Sequence, residues 1–303
     1  MSLPVQPASR RALQRIRERI IESLLLGSAL ASILITLGIV SILVLESLTF
    51  FSHVSLLEFV GTTEWTPLFE DAHYGILPLV AGTLMTTLIA LSVAIPLGTI
   101  AAIYLSEYAP HRLREVVKPV LELLSAIPSV VYGYFALLFV APLLQSVYAD
   151  LPGFSMLSAG LVMGVMIIPY VSSISEDAMR SVPMTLREGS YAMGATRMQT
   201  ALKVVFPAAF SGIMAAYILG ISRAIGETMI VAIAAGLQPK MTINPLESAA
   251  TVTAFIVQVS LGDLPHGSLG YQSIFVAGSM LFLLTLGFNL ADHAPRKKFH
   301  RAS

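Results

Sequence analysis

The chain has 303 residues, of which 55 % are hydrophobic and only 12 % charged, with a net charge of zero and a mean hydropathy of +0.79. Soluble domains carry about 25 % charged residues, so this composition excludes an ordinary water-facing surface and predicts an integral membrane protein. The zero net charge argues against a nucleic-acid surface, and the absence of cysteine excludes disulfides and thiolate chemistry.

Six apolar runs have the length needed to span a bilayer, roughly 17–25 residues. They cover 24–46, 77–105, 120–147, 157–175, 208–236 and 273–291. Five arginines, Arg10, Arg11, Arg15, Arg17 and Arg19, precede the first run. That run is longer than a signal-peptide core and another follows it, so it reads as an uncleaved first helix. Pro96 and Gly98 interrupt the second run, and Pro128 the third. Such breaks are tolerated where neighbours or water satisfy the freed backbone groups. The resulting division is a basic segment 1–23, a transmembrane domain 24–292 and a tail 293–303.

Lys and Arg alternate strictly with this count. Sixteen of eighteen fall in the N-terminal segment, loop 106–119, segment 176–207 and the C-terminal tail; Lys240 alone lies on the other side, and Arg223 alone within a run. The positive-inside rule then places both termini in the cytoplasm. Loop 48–76 holds no Lys or Arg and carries the single tryptophan, Trp65, which is expected to anchor at the membrane interface. Segment 248–261 is apolar but short for a span, and is expected to be interfacial or re-entrant.

Residues 182–207, VPMTLREGSYAMGATRMQTALKVVFP, are too polar to span. Pro183 suits a first helical position, and Gly194 a left-handed helix stop. Thr196 and Gln199 fit a capping box that opens a second helix, and Pro207 is expected to end it. The pattern predicts a helix–turn–helix hairpin with Leu186, Tyr191, Met193, Met198, Leu202 and Val205 as apolar knobs. From pattern alone it is either an interfacial connector or a docking element for a cytoplasmic partner.

Within the fifth run, ISRAIGETM places Arg223 and Glu227 in apolar surroundings, where each charge costs about 2.5–3.5 kcal/mol on insertion scales. A separation of four residues puts them on one helix face. Two readings stay open: a neutralising pair that holds the bundle, or a charged group facing a watery path. Arg suits an oxyanion because its planar fork donates in pairs. Weaker leads are Thr83, Thr86 and Thr87, and Ser125, Ser129 and Tyr132 flanking Pro128. These residues suit helix–helix hydrogen bonding, and a kink at Pro128 suits a pore or gate. No nucleotide-binding, zinc-protease or serine-hydrolase motif occurs, and no histidines stand at metal-ligand spacing, so neither an enzyme nor a metal site is expected.

The run Glu188-Gly-Ser-Tyr191-Ala-Met-Gly194, nine residues, then Val-Val-Phe-Pro207 resembles the EAA loop of ABC importer permeases. There Glu-Ala-Ala, three residues and Gly precede nine residues and Ile-x-Leu-Pro. Glu188, Gly194 and Pro207 match; Gly189 and Ser190 replace the alanines. YGILPLVAGTL, AIPLGTIAAIYLSEYAP, AIPSVVYG and ISRAIGETM resemble, in order, the PstC family of phosphate ABC transporter permeases. The resemblance covers about residues 74–290. It implies an all-α, six-span type I ABC importer permease (MetI-like) fold with a coupling hairpin. It implies import of inorganic phosphate with a PstA-like second permease, two PstB-like ATPase subunits that bind the ATP, and a PstS-like binding protein. Arg223 and Glu227 would then serve the anion path, and Glu188, Tyr191, Gly194 and Pro207 the ATPase. Rivals are an importer of another oxyanion, such as molybdate or sulfate, and an ion-coupled secondary transporter or channel.

Overall fold

The structure is a computed structural model that describes residues 8–69, 71–262, 264–265 and 267–299, with side-chain surroundings between 17 and 290. Arg10, Arg11 and Arg15 and the basic C-terminal tail therefore lie outside the described side chains. Among the described residues the chain is helical and has no strand, only an isolated bridge between Trp65 and Tyr74.

Helix α1 (Ala8–Phe51) is followed by a short α2 (Leu56–Gly61) and by α3 (Leu77–Ile103), which continues as a π-helical turn, Tyr104–Tyr108. Helix α3 runs unbroken through Pro96 and Gly98, contrary to the expected interruption. The glycine instead admits a neighbour: a Cβ on Gly98 would sit 2.8 Å from Val171. Helix α4 (His111–Ala126) is cut off at Ile127–Pro128. Then α5 (Ser129–Phe135), a π-helical turn and α6 (Ala141–Gln145) leave at 87° to α4. The run 120–147 is thus not one straight helix, and its apolar second limb begins at Ser129.

Helix α7 (Met156–Arg180) is the axle of the fold and packs most extensively on α3. Small residues let the two backbones approach: a Cβ on Gly160 or Gly164 would meet Ile89, Val93 or the Ala90 carbonyl within 3 Å. Helix α8 (Met184–Ala192), α9 (Arg197–Thr200), a π-helical turn and α10 (Phe206–Ala208) form the hairpin, and α11 (Phe210–Ile225) leaves it with a 74° bend. Pro207 lies inside α10; the break falls at Ala209, two residues later than expected.

Helix α11 ends at Gly226, α12 (Met229–Ala234) follows, and α13 (Val252–Ser260) and α14 (Leu269–Phe299) complete the chain. The run 208–236 is therefore also broken. Among the described residues, four unbroken helices are long and apolar enough to cross a membrane, and the two bent pairs bring the number to as many as six. Segment 248–261 is no span. Its nine-residue helix is buried on α3, α12 and α14, with Val252 N donating to Thr83 Oγ1 at 3.0 Å.

Helix α1 touches chiefly α14, through Ser47 Oγ and Ser279 Oγ at 2.9 Å. Its remaining face is bare leucine and isoleucine, which in a bilayer meets hydrocarbon rather than water. Trp65 corrects the interfacial expectation. It is fully buried, edge-on to Phe59, Tyr74 and Phe255. Aromatic edges against faces at 5.1–6.3 Å complement one another's quadrupoles, so the loop 48–76 is part of a packed cap over one end of the bundle.

Candidate functional site

The hairpin is built as its capping residues require. Gly194 has φ +82°. Ala195 N donates to the Ser190 carbonyl at 3.2 Å and Gly194 N to that of Tyr191 at 2.9 Å, the paired bonds of a Schellman stop. Both halves of the Thr196–Gln199 capping box are formed. Leu186, Tyr191, Met193, Met198 and Leu202 are exposed, Met193 to 88 %, while Val205 is buried at the hairpin base with Met179, Val182 and Ile213. Glu188 is exposed on the same hairpin.

What fastens the hairpin is a contact the sequence did not announce. Arg187 Nη2 donates to Glu107 Oε1 at 3.0 Å and to the Met179 carbonyl at 2.8 Å, and Nη1 to the Val182 carbonyl at 2.5 Å. Both side chains of the ion pair are at least 90 % buried. No spacing rule links positions 80 residues apart, and Glu107 lay just beyond the end of a predicted span. A second interhelical pair was equally hidden. Lys118 Nζ bridges the buried Glu176, at 3.0 Å, and Asp177, tying α4 to the end of α7. Burial alone would lower the Lys118 ammonium, but the hydrogen bonds to Asp177 and Glu176 raise it above its ordinary value. Beside the hairpin, Arg114, Arg180 and Arg197 line an open cleft of about 430 Å³ with Tyr191 and Met184.

Deeper in the bundle, Arg223 and Glu227 are not the pair that four-residue spacing suggests. The helix stops at Gly226 between them, so they share no helix face, and no hydrogen bond or ion pair joins them. Glu227 turns to the next helix: its Oε1 accepts from the backbone N–H groups of Met229 and Ile230 at 3.1 and 3.3 Å. A carboxylate is stabilised there by the partial positive charge of a helix start. Its own carbonyl accepts from Thr253 Oγ1 at 2.7 Å. Arg223 lies against Tyr170, the guanidinium carbon 4.7 Å from the ring centroid. Its Nε is buried with no hydrogen-bond partner, and among the described residues its guanidinium has no carboxylate neighbour.

The Pro128 break is equally specific. Proline has no N–H, so the Leu124 carbonyl loses its donor four residues on. Tyr132 Oη supplies one at 2.8 Å. The next carbonyl, Ser125, accepts from Tyr170 Oη at 3.3 Å. Ser129 opens α5 after Pro128, and a Cβ on Gly133 would meet Ile233 at 2.9 Å, so α5 lies directly on α12. Pro128, Ser129, Tyr132, Tyr170, Arg223 and Glu227 thus belong to one connected region built from α4, α5, α7, α11 and α12. Tyr170 gave no signal in sequence because it sits inside an apolar run.

Residues 94–299 match the family described as binding-protein-dependent transport system inner membrane component. The chain belongs to that family. It is 38 % identical to the probable ABC transporter permease protein YqgH of Bacillus subtilis, over 92 % of this chain and 90 % of that protein. It is 34 % identical to phosphate transport system permease protein PstC 1 of Mycobacterium tuberculosis, over 82 % and 83 %. The fold is similar to that of a bacterial ABC transporter involved in import of the acidic polysaccharide alginate, with TM-score 0.61 and 16 % identity, over 92 % of this chain and 99 % of that one. It is also similar to the MetNI methionine ABC transporter, with TM-score 0.54 and 19 % identity, over 74 % and 94 %. As a member of this family the chain is a permease subunit and an inner-membrane component, and its helices have the MetI-like arrangement.

Proposed function

We propose that this permease forms half of the path of an ATP-driven importer of inorganic phosphate. Arg223 is its anion contact. The observation that carries this reading is an arginine inside an apolar bundle with its Nε unpaired and an aromatic face, rather than a carboxylate, as its neighbour. A carboxylate partner would occupy the donor fork; an aromatic face leaves it free for a bidentate oxyanion. Glu227 holds the start of α12 at the edge of the path, and Pro128, Ser129 and Tyr132 hold the bend that faces it. The PstC relatives support phosphate as the anion.

ATP is bound by a separate ATPase pair, PstB-like, which receives the hairpin, and this chain itself needs no cofactor. Glu188, Gly194, Tyr191 and Pro207 shape the docking element, and the exposed Leu186, Tyr191, Met193, Met198 and Leu202 are the apolar surface it presents. A PstA-like permease completes the path, and a PstS-like protein delivers phosphate to the opposite face. With sixteen of eighteen basic residues on the hairpin side, both termini are cytoplasmic. The permease domain is taken as 24–292 between the basic segment 1–23 and the tail 293–303.

The test is uptake by vesicles holding the four-component complex, with loaded binding protein outside and ATP inside. Phosphate uptake that requires ATP is expected. Molybdate or sulfate uptake without phosphate uptake, or phosphate transport by this chain without any ATPase, overturns the reading.

A further inference from the structure

Tyr170 occupies a position that no motif announces. It follows Pro169 inside α7, between two features that would otherwise be independent. Its ring covers the Arg223 guanidinium on α11. Its hydroxyl donates to the Ser125 carbonyl on the last turn of α4, one of the carbonyls set free where the chain bends by 87° before α5. Each contact is of a weak, exchangeable kind. A cation–π contact holds a charge without consuming its donors, and a 3.3 Å hydrogen bond is long for an O–H donor. The same side chain therefore touches the anion-binding cation with one end and the bend with the other.

We propose that Tyr170 is a positioning residue that ties the location of Arg223 to the geometry of the α4–α5 bend. The inference rests on the reading of Arg223 as the anion contact. The ring holds Arg223 at the path without neutralising it, and the hydroxyl passes any displacement of the bend to that ring. When α4 and α5 shift relative to α7, the Ser125 carbonyl is the first group to leave Tyr170, and the ring that shields Arg223 moves with it. Glu227 plays no part in this restraint, because its carboxylate is committed to α12.

Two substitutions separate the two ends. Tyr170→Phe keeps the ring and removes the hydroxyl; Tyr170→Leu removes both. The measurements are the maximal phosphate uptake rate of the vesicle-reconstituted complex, the binding-protein concentration at half that rate, and the ATP hydrolysed per phosphate delivered. Tyr170→Phe is expected to keep most of the rate and to raise the ATP used per phosphate about two- to five-fold, the size of one neutral hydrogen bond. Tyr170→Leu is expected to lower the maximal rate by about 2- to 30-fold, the range of a cation–π contact between half-buried partners. The half-saturating binding-protein concentration stays unchanged in both, since docking occurs on the far face.

A residue that only fills space would give Tyr170→Phe wild-type coupling, and that result overturns the proposal. So does wild-type transport by Tyr170→Leu while Arg223→Leu is inactive; in that case the anion path survives without its tether. Wild-type transport by Arg223→Leu removes the anion path itself, and the tether with it. If Tyr170→Leu fails to assemble, the coupling ratio of Tyr170→Phe decides alone.

Discussion

Two arginines, the buried Arg187 and the half-buried Arg223, are treated in opposite ways by one chain. Arg187, at the foot of the hairpin, spends its fork on a carboxylate and two carbonyls. Arg223, in the middle of the bundle, meets an aromatic ring and leaves Nε unpaired. A charge taken out of water and fully satisfied serves position: removing either partner leaves the other stranded. A charge left partly unsatisfied at a site of low polarity is costly to keep, and such groups are retained where a ligand completes them. The contrast separates a fastened region at the foot of the hairpin from one whose cation keeps an unused donor, the donor that the proposed function assigns to the anion.

Ranked by stability, the largest effect is expected at the rigid end. Arg187→Ala strands the Glu107 carboxylate and two carbonyls in a buried site. It is expected to destabilise the folded subunit by about 3–5 kcal/mol, read as a lowered unfolding temperature and as proteolysis within residues 183–207. The double variant Arg187→Met with Glu107→Leu removes both charges and is expected to recover most of that loss. If the single variant were as stable as the parent, the hairpin would be held by its apolar base alone.

Next comes Gly194→Val. A Cβ there would meet open space, so the whole cost is backbone: a β-branched residue at φ +82° costs on the order of 1–3 kcal/mol. The expected outcome is a loosened Schellman stop, with amide exchange accelerated from Ser190 to Thr196 and little change in the bundle. Exchange that rose equally in α7 would show that the hairpin and the bundle do not unfold separately.

How much of this was legible follows from the range of each interaction. Helices α1, α3, α7 and α14 follow from apolar length, and the hairpin from Gly194 and the Thr196–Gln199 box, because these are signals carried within a few residues. The family resemblance followed from motifs of the same short range. Pro128 marked a break, but an 87° bend needs the Tyr132 and Tyr170 hydroxyls to satisfy the carbonyls it frees. The bend at Ala209 has no local signature. Trp65 looked interfacial because Phe59, Tyr74 and Phe255, which pack against it, come from three separate segments. The Arg223–Glu227 pairing failed because the four-residue rule presumes a continuous helix, and Gly226 ends it.

The smallest stability effect is expected where the transport effect is largest. Arg223→Leu gives up a cation–π contact of about 0.5–2 kcal/mol, but it also relieves a buried, unpaired Nε, whose desolvation costs about 1–3 kcal/mol. The two terms oppose, so the unfolding temperature of the assembled complex is expected to move little, and upward if at all, while ATP-driven phosphate uptake is lost. Glu227 does not enter the balance, since its carboxylate remains bound to the Met229 and Ile230 amides whether or not Arg223 is present. A fall in stability comparable to that of Arg187→Ala would make Arg223 a second structural arginine and erase the distinction between the two regions. A stable complex that no longer transports would establish that the unsatisfied charge is kept for its cargo.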